Sequence, residues 1–446
     1  MKLPEKPPGK EERKGPGYFK DWTAMIEDRD FGAQLAAIEK EYPYWDSFKY
    51  KVKALPYDAR RIWLFNKAYR NRNVTRIKIA EDPGFEFKYN TPPHILRYLH
   101  EFDLHLGGKL EGRGIIPEEE KTRYLISSIM EEAIASSQLE GAATTREIAK
   151  EMLRSNRKPT NHSEKMILNN YRTMQKALEL KGKKLTPEMI LLLHASITKD
   201  TLEDAANEGR FRDNDKVEVV DRITGDVFYS PPHYAKIGEW MENLCDFANG
   251  IHDIEFIHPI IRGILLHFLI GYIHPFVDGN GRTARTLFYW YLLSQGYWLI
   301  EFMSISRIIL RAPAGYSRAY LYSEYDENDV TYFIDYNLRS MDAALKSLQE
   351  YINRKVRERK QLYALIRNEP VNERQAEILR IMLTDGGAGL TIKSVQNRFG
   401  VVYQTARMDL LGLQTMGYLT EKRMGKKMMF FRADDFERKL EHGFGD

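Results

Sequence analysis

The chain has 446 residues, so two to four domains are expected, and its apolar content of 43% is enough for well-packed cores. A formal net charge of +4 is small against 67 basic and 63 acidic residues, which excludes a general electrostatic attraction to nucleic acid or membranes. The single cysteine, Cys245, excludes an internal disulfide bond and favours a reducing, cytoplasmic location.

The first third of the chain is predicted to be mainly helical. Residues 1–17 are rich in proline, lysine and glycine and are expected to form a flexible tail that lacks the apolar core of a secretory signal. Residues 18–90 contain aromatic clusters and a basic stretch, and no function is assigned to them. Apolar residues recur at helical spacing within residues 91–160, most clearly over about 122–141, where Gly141 stands at a C-cap position.

Residues 161–350 are predicted to be helical except for one β-hairpin. Thr186 and the proline after it mark the start of a helix. The run "KVEVVDRITGDVFYSPP" alternates apolar and polar residues around a turn, which predicts two short strands that end at the proline pair. The longest apolar run, residues 260–273, is shorter than the ~20 residues that span a bilayer, so no membrane partner is expected.

The C-terminal part has a different organisation. Residues 351–371 predict a basic linker helix, and residues 372–446 predict three helices followed by two strands around Gly425. This order is similar to a winged helix-turn-helix, a fold that binds either DNA or proteins. The candidate DNA contacts at the start of the third helix and in the strand pair are Tyr403, Gln404, Arg407, Lys422, Arg423, Lys426 and Lys427.

The segment "HPFVDGNGRTAR", residues 274–285, combines residue types suited to phosphate chemistry. Its glycine loop at the start of a helix predicts a nest of backbone N–H groups that binds anions. Arg282 and Arg285 are three residues apart and share a helix face, where they add positive charge. Asp278 is a candidate Mg²⁺ ligand, and His274 is a candidate general base. Each feature alone is common in structural turns, but their concentration in twelve residues favours a nucleotide site.

This segment matches the motif H-P-F-x-(D/E)-G-N-G-R-x-x-R at every specified position, and the chain therefore resembles the Fic family. The similarity extends to "NEGRFRDNDKVEVV" and the hairpin, and covers residues 91–348. It implies a helical Fic fold with a β-hairpin flap, and a protein adenylyltransferase that moves AMP from ATP to a Ser, Thr or Tyr hydroxyl of a protein. Both loop glycines are present, which argues against the family's phosphotransferase branch.

The resemblance also implies roles for single residues. His274 would be the catalytic base, Asp278 would hold Mg²⁺, and Arg282 and Arg285 would bind phosphates, Arg285 the γ-phosphate. The anion hole and the adenine pocket would be formed by Gly279, Asn280, Gly281, Tyr316 and Tyr320. The flap, which would accept a target segment by strand addition, would include Val219, Thr224, Val227 and Tyr229.

The stretch "SSQLEG" resembles the inhibitory motif (S/T)-x-x-x-E-(G/N) of self-restrained Fic proteins, with Ser136, Glu140 and Gly141 at the specified positions. The implied mechanism is that Glu140 pairs with Arg285 and occupies the place of the γ-phosphate. In some family members the same glutamate supports the removal of AMP, so deAMPylation stays open for this chain. The plainer interpretation is that Glu140 is a solvated residue at a helix end.

Two classes of function therefore stay open. The first is a self-inhibited adenylyltransferase that uses ATP and Mg²⁺, with another protein or the chain itself as target. The second is a DNA-binding transcriptional regulator whose Fic domain senses a nucleotide. A phosphocholine or other nucleotide donor is a variant of the first, and a homodimer is a candidate assembly for either.

Overall fold

A computed structural model describes residues 3–9, 12, 18–79, 85–107, 118–220, 225, 227–368, 371–384, 389–424, 427–436 and 438–439. The chain divides into two compact units, Met1–Leu348 and Gln349–Asp446. Helices dominate both units, which confirms the predicted mostly α fold class.

The N-terminal part of the first unit is a group of helices followed by a strand pair. Its elements are α1 Tyr18–Glu27, α2 Arg29–Glu39, α3 Trp45–Lys51, α4 Ala59–Arg70, β1 Thr75–Ile77 and β2 Phe87–Tyr89. Buried aromatic side chains, among them Phe31, Trp45 and Trp63, form a core that also includes Tyr332 from much later in the chain. The segment to which the sequence assigns no function is thus packed into the first unit.

Residues 3–9, which were expected to belong to a flexible tail, are instead docked on α3. The Tyr44 hydroxyl donates a hydrogen bond to the Glu5 carbonyl oxygen at 2.8 Å, and Trp45 Nε1 donates to the Glu5 carboxylate at 3.0 Å. Pro4 and Pro8 are buried. The segment is docked rather than flexible for two reasons. Burial removes the apolar proline rings from water, and ordering a residue whose φ is already restricted costs little conformational entropy.

The remaining part of the first unit contains the predicted helices and hairpin. Thr186 caps α9 by accepting a hydrogen bond from Met189 N at 3.2 Å, as the sequence predicts. Among the described residues, none of the helices has the length and apolar character needed to cross a membrane. The elements are α5 Pro93–Leu106, α6 Glu118–Leu139, α7 Arg146–Ser155, α8 His162–Glu179, α9 Pro187–Thr198, β3 Val219–Val220, β4 Val227–Tyr229, α10 Ile237–Asn249, α11 Pro259–Ile273, α12 Asn280–Ser294, α13 Ile305–Arg311, α14 Pro313–Tyr325 and α15 Thr331–Asn368, whose residues after Leu348 belong to the second unit.

Helices α11 and α12 lie at the centre of this part, and almost every residue of both is buried. The short strands β3 and β4 pair antiparallel, with Val219 opposite Tyr229. Helix α15 is one continuous helix of 38 residues, where the sequence had suggested a boundary near residue 350. Since α15 contains neither glycine nor proline, no residue interrupts its hydrogen bonding.

The second unit contains three further helices and a strand pair. Thr391 and Ser394 form a reciprocal capping box at the start of the middle helix, which explains why it begins there. A bridge between Leu390 and Phe430 extends the strand pair, and buried side chains such as Leu410 and Leu413 form a separate core. The elements are α16 Glu373–Thr384, α17 Ile392–Phe399, α18 Tyr403–Thr415, β5 Leu419–Met424 and β6 Lys427–Arg432.

Candidate active site

The loop between α11 and α12 depends on two residues with left-handed backbones. His274 ends α11 at φ +49°, and its N–H donates to the Ile270 carbonyl at 3.0 Å. Gly279 has φ +85°, and a Cβ at this position would lie 2.9 Å from Thr198 Cγ2. Only glycine fits there without strain, because both the backbone angle and the space exclude a side chain.

The side chain of Asn280 holds the loop closed. Its Oδ1 accepts a hydrogen bond from Phe276 N at 3.0 Å, and its Nδ2 donates to the Phe276 carbonyl at 2.8 Å. The side-chain amide of Asn280 therefore shapes the loop, and the place of its backbone N–H in an anion hole stays a prediction. The Phe276 ring is fully buried and stacks on the His194 ring with 3.7 Å between the ring centroids, so it anchors the loop to α9.

His274 is held as a neutral imidazole with one nitrogen available for chemistry. Its Nδ1 lies 3.2 Å from the Gly271 carbonyl oxygen, and a carbonyl can only accept, so Nδ1 must carry the proton. The other nitrogen, Nε2, therefore has a free lone pair. Burial lowers the pKa of His274 below its ordinary value, which keeps the ring neutral near pH 7.

Arg212 is a site residue that the sequence analysis did not identify. Its side chain is buried, and its Nε donates to the His274 carbonyl at 3.0 Å while its backbone N–H donates to the Pro275 carbonyl at 2.8 Å. Its guanidinium also contacts Asp215 at 2.9 Å. Arg212 thereby fixes the left-handed turn at His274. It lies in "NEGRFRDN", but nothing in that spacing indicates that this arginine is buried.

His194 is a second such residue, and it ties α9 to the loop. Its Nε2 lies 2.8 Å from the Asp278 carbonyl oxygen, and its Nδ1 accepts a hydrogen bond from Gly209 N at 3.1 Å. Burial lowers the pKa of His194 to about 4, so the ring is neutral and both nitrogens are satisfied. Its role could not be inferred from the sequence, where it is one histidine on an apolar helix.

A cavity of about 190 Å³ opens between the loop, the end of α6, the hairpin and α14. The cavity brings together residues that are more than 180 positions apart in the chain, and it includes most of the predicted nucleotide residues. Its lining residues are Glu140, Val219, Phe228, Tyr229, Gly271, His274, Asn280, Gly281, Arg285, Tyr316, Ser317, Tyr320, Leu321 and Glu324.

The end of α6 lies directly on Arg285. The Arg285 guanidinium donates to Glu140 Oε1 at 2.8 Å, to Ser136 Oγ at 2.8 Å and to the Ser136 carbonyl at 3.0 Å. Burial opposes the charge of Arg285, but Glu140, Tyr316 and Glu132 together outweigh this effect, and the pKa of Arg285 is raised. Gly281 makes the contact possible, because a Cβ there would overlap the Glu140 carboxylate. Gly141 turns the chain away after α6 with φ +98°.

Asp278 and Arg282 lie beside each other at the loop. The Arg282 side chain is fully buried, with NH2 at 3.3 Å from Asp278 Oδ2 and NH1 at 3.5 Å from the Ile197 carbonyl. Arg282 was predicted to contact phosphates, but it does not line the cavity and instead lies at the C-terminal end of α9. Burial lowers the pKa of Arg282, and the negative end of the α9 dipole together with Asp278 offsets part of the cost of burying its charge.

Tyr316 lines the cavity beside Arg285. Its hydroxyl lies 2.7 Å from His267 Nε2, and the Tyr320 hydroxyl donates to the His267 carbonyl at 3.2 Å. In the hairpin, Val219 and Tyr229 line the cavity and Val227 is exposed, whereas Thr224 lies outside the described residues.

In the second unit the candidate DNA contacts fall into two groups. Tyr403, Gln404 and Arg407 are exposed in the first turns of α18, and Lys422 and Arg423 are exposed on β5. Lys426 lies outside the described residues, and of Lys427 only the backbone is described.

Comparisons with known proteins bear on the first unit. Residues 184–292 match the model of the Fic/DOC family. Over 113 residues the chain is 34% identical to the proteins named Protein adenylyltransferase Fic from Drosophila erecta and from Drosophila melanogaster. The match covers 25% of this chain and 21% of each relative, so the chain spans about a fifth of the length of these relatives.

The chain is also similar to solved structures. These include a Fic family protein from Desulfovibrio desulfuricans G20, with a TM-score of 0.48 and 18% identity over 76% of this chain and 95% of that chain. A second is Fic-1 from C. elegans, with a TM-score of 0.44 and 17% identity over 77% of this chain and 90% of that chain. The family match confirms the predicted resemblance at the level of a Fic/DOC domain.

Proposed function

We propose that the chain is a protein adenylyltransferase that transfers AMP from ATP to a hydroxyl side chain of a protein. The main support is a single cavity lined by a neutral histidine, His274, a glycine loop and a buried cation, Arg285. The names of the curated relatives agree with this activity over the matched segment.

The chemistry follows from the tautomer of His274. Its unprotonated Nε2 takes the proton from the target hydroxyl, and the hydroxyl oxygen forms a bond to the α-phosphorus of ATP. The bond from the α-phosphorus to the bridging oxygen breaks, and pyrophosphate leaves. Arg285 and the backbone around Gly281 hold the terminal phosphates, so the α-phosphate is oriented toward the base.

Asp278 would hold Mg²⁺ together with phosphate oxygens of the nucleotide. Its carboxylate is 55% exposed, and a carboxylate oxygen is the type of ligand that Mg²⁺ prefers. One carboxylate suffices when phosphates and water complete the coordination. Among the described residues, no group of three or more His, Cys, Asp or Glu side chains is arranged to hold a metal ion by itself. When bound, the ion would neutralise phosphate charge.

Glu140 would act as an internal inhibitor. Its carboxylate accepts a hydrogen bond from Arg285, the side chain proposed to bind the γ-phosphate. A triphosphate that reaches Arg285 must displace Glu140, since two anions cannot share one guanidinium edge without repulsion. Ser136 holds the same guanidinium in place through its hydroxyl and carbonyl oxygens.

The hairpin β3–β4 would serve as the flap that accepts the target. Val219 and Tyr229 line the cavity on this side, and the strands are only two and three residues long. Because β3 and β4 form a two-stranded sheet, each strand has an outer edge whose backbone groups can pair with an extended target segment, which gives docking with little dependence on side chains.

The second unit would be a winged helix-turn-helix. Helices α16 to α18 are followed by the β5–β6 pair, and α18 exposes Tyr403, Gln404 and Arg407 at its start. A DNA-binding role predicts association with duplex DNA that weakens steeply with salt and survives His274→Ala. A protein-docking role predicts no association with duplex DNA.

The decisive experiment uses His274→Ala in a chain that also carries Glu140→Gly, with labelled ATP, Mg²⁺ and cell lysate proteins. We expect loss of labelled AMP on protein, while ATP still binds, because the base is removed and the phosphate contacts remain. The control is His252→Ala, which changes a histidine that is 79% exposed. Undiminished labelling by the His274 variant would refute the mechanism. Mass spectrometry of the labelled proteins would identify the target.

A further inference from the structure

Glu324 is a half-buried carboxyl group in the cavity that the proposed mechanism does not use. It lies on α14, four residues after Tyr320 and eight after Tyr316, and all three side chains line the cavity. Residues four apart occupy one face of a helix. Since a helix rises about 1.5 Å per residue, Glu324 is about 12 Å along α14 from Tyr316. The cavity therefore runs from Arg285, beside Tyr316, to Glu324.

The surroundings of Glu324 are aromatic and uncharged. Tyr229 from β4 and Tyr272 from α11 face it, and Tyr320 and Tyr325 are its neighbours on α14. Burial raises the pKa of all four hydroxyl groups, so they are neutral near pH 7.

No hydrogen bond or ion pair to the Glu324 carboxyl is found among the described residues. The charged side chains of the cavity, Arg285 and Glu140, lie at its other end beside Tyr316. Burial raises the pKa of Glu324 to about 8, and no nearby cation offsets this effect. Below pH 8 the group is mostly a neutral acid with one O–H donor and one acceptor oxygen.

We propose that Glu324 binds the adenine base of ATP as a neutral carboxylic acid and thereby selects adenine nucleotides. Adenine presents an amino donor next to a ring nitrogen acceptor. The carbonyl oxygen of the acid accepts from the amino group, and its O–H donates to the ring nitrogen. An ionised carboxylate has no donor, so it makes only one of these two hydrogen bonds.

This inference depends on the proposed function, because it assumes that a nucleotide occupies the cavity. The test is calorimetric titration of the chain carrying Glu140→Gly and His274→Ala with ATP and Mg²⁺ from pH 7 to pH 9. With Glu324 present, affinity should fall about tenfold over this range, since only the protonated form makes both hydrogen bonds to the base. Glu324→Gln, which keeps one donor and one acceptor, should retain the affinity and lose the pH dependence.

Glu324→Leu should weaken ATP binding about 10- to 100-fold at pH 7, the discrimination typical of a two-bond contact to a base. The control is Glu239→Leu, at an exposed position on α10, which should leave affinity unchanged. Thermal unfolding checks that each variant is folded. If Glu324→Leu binds ATP as tightly as the parent, or if the pH dependence persists in Glu324→Gln, this inference is wrong. If the parent binds no ATP at any pH, the proposed function itself fails.

Discussion

Replacing Glu140 with glycine is expected to increase AMP transfer, and the structure sets the size of the effect. The change removes one charge-assisted hydrogen bond from Arg285, of 2.8 Å, and leaves the two contacts from Ser136 in place. A hydrogen bond to a charged group contributes about 1.5–3 kcal/mol. The Glu140 side chain is 22% exposed, so solvent screens part of the interaction. We therefore take the lower half of that range, about 1.5–2 kcal/mol.

Because each ~1.4 kcal/mol corresponds to a factor of ten, the productive binding of ATP should improve about 10- to 30-fold. The assay is the initial rate of labelled AMP incorporation into protein at an ATP concentration below saturation. Glu140→Gln separates charge from volume, since it keeps the size of the side chain and removes its charge. We expect it to give an intermediate rate.

Glu147→Gly provides the matched control, because Glu147 lies on α7 with a side chain that is 79% exposed. It should leave the rate unchanged. If Glu140→Gly gives the parent rate while its fold and ATP binding are intact, the Glu140–Arg285 pair does not inhibit the enzyme. Glu140 would then have another role, for example orienting a water for AMP removal.

Two other changes test the residues that shape the loop. Arg212→Ala should lower the free energy of unfolding by about 1–3 kcal/mol and reduce AMP transfer, because partly buried carbonyls such as that of His274 lose their donor. Urea denaturation measures the loss of stability. The control is Arg210→Ala, which changes a side chain that is 58% exposed. Equal stability of the two variants would contradict the structural role of Arg212. For His194, the pKa of about 4 in the folded chain lies below the ordinary 6.5, so its contribution to stability is complete above pH 6.5 and is lost as pH falls toward 4. His194→Gln keeps one donor and one acceptor but does not titrate. It should reduce the slope of the free energy of unfolding against pH between pH 6.5 and 4 by up to ~1.4 kcal/mol per pH unit. An unchanged slope would rule out His194 as the cause of the pH dependence.

The position of Glu324 illustrates how far sequence reasoning reaches in this chain. Tyr316, Tyr320 and Glu324 follow one another at a spacing of four, so their common helix face could have been predicted. That this face lines the cavity also containing Arg285 could not, because it depends on how α14 packs against α11 and the hairpin. For Arg212 and His194 the sequence contains no comparable spacing that could have predicted their place in the site.

The fold also contains features that the sequence predicts and features that it does not. The continuity of helix α15 and the docking of residues 3–9 belong to the second kind. Helical content, the hairpin and the start of α9 follow from local patterns, since hydrogen bonding and capping act over a few residues. A tail that is polar in composition can still dock, because only tertiary structure supplies the surface that buries its prolines.

By itself, the sequence determined which residue types lie in the loop 274–285 and therefore which chemistry is available there. Backbone angles at Gly279 and the spacing of the two arginines are local properties and can be derived from neighbouring residues. Tertiary structure decided which of these groups reach the cavity: Arg285 does and meets Glu140, whereas Arg282 turns to the end of α9. The physical reason is that burial and charge pairing depend on contacts between segments that are far apart in the chain. Local sequence patterns contain no information about these contacts.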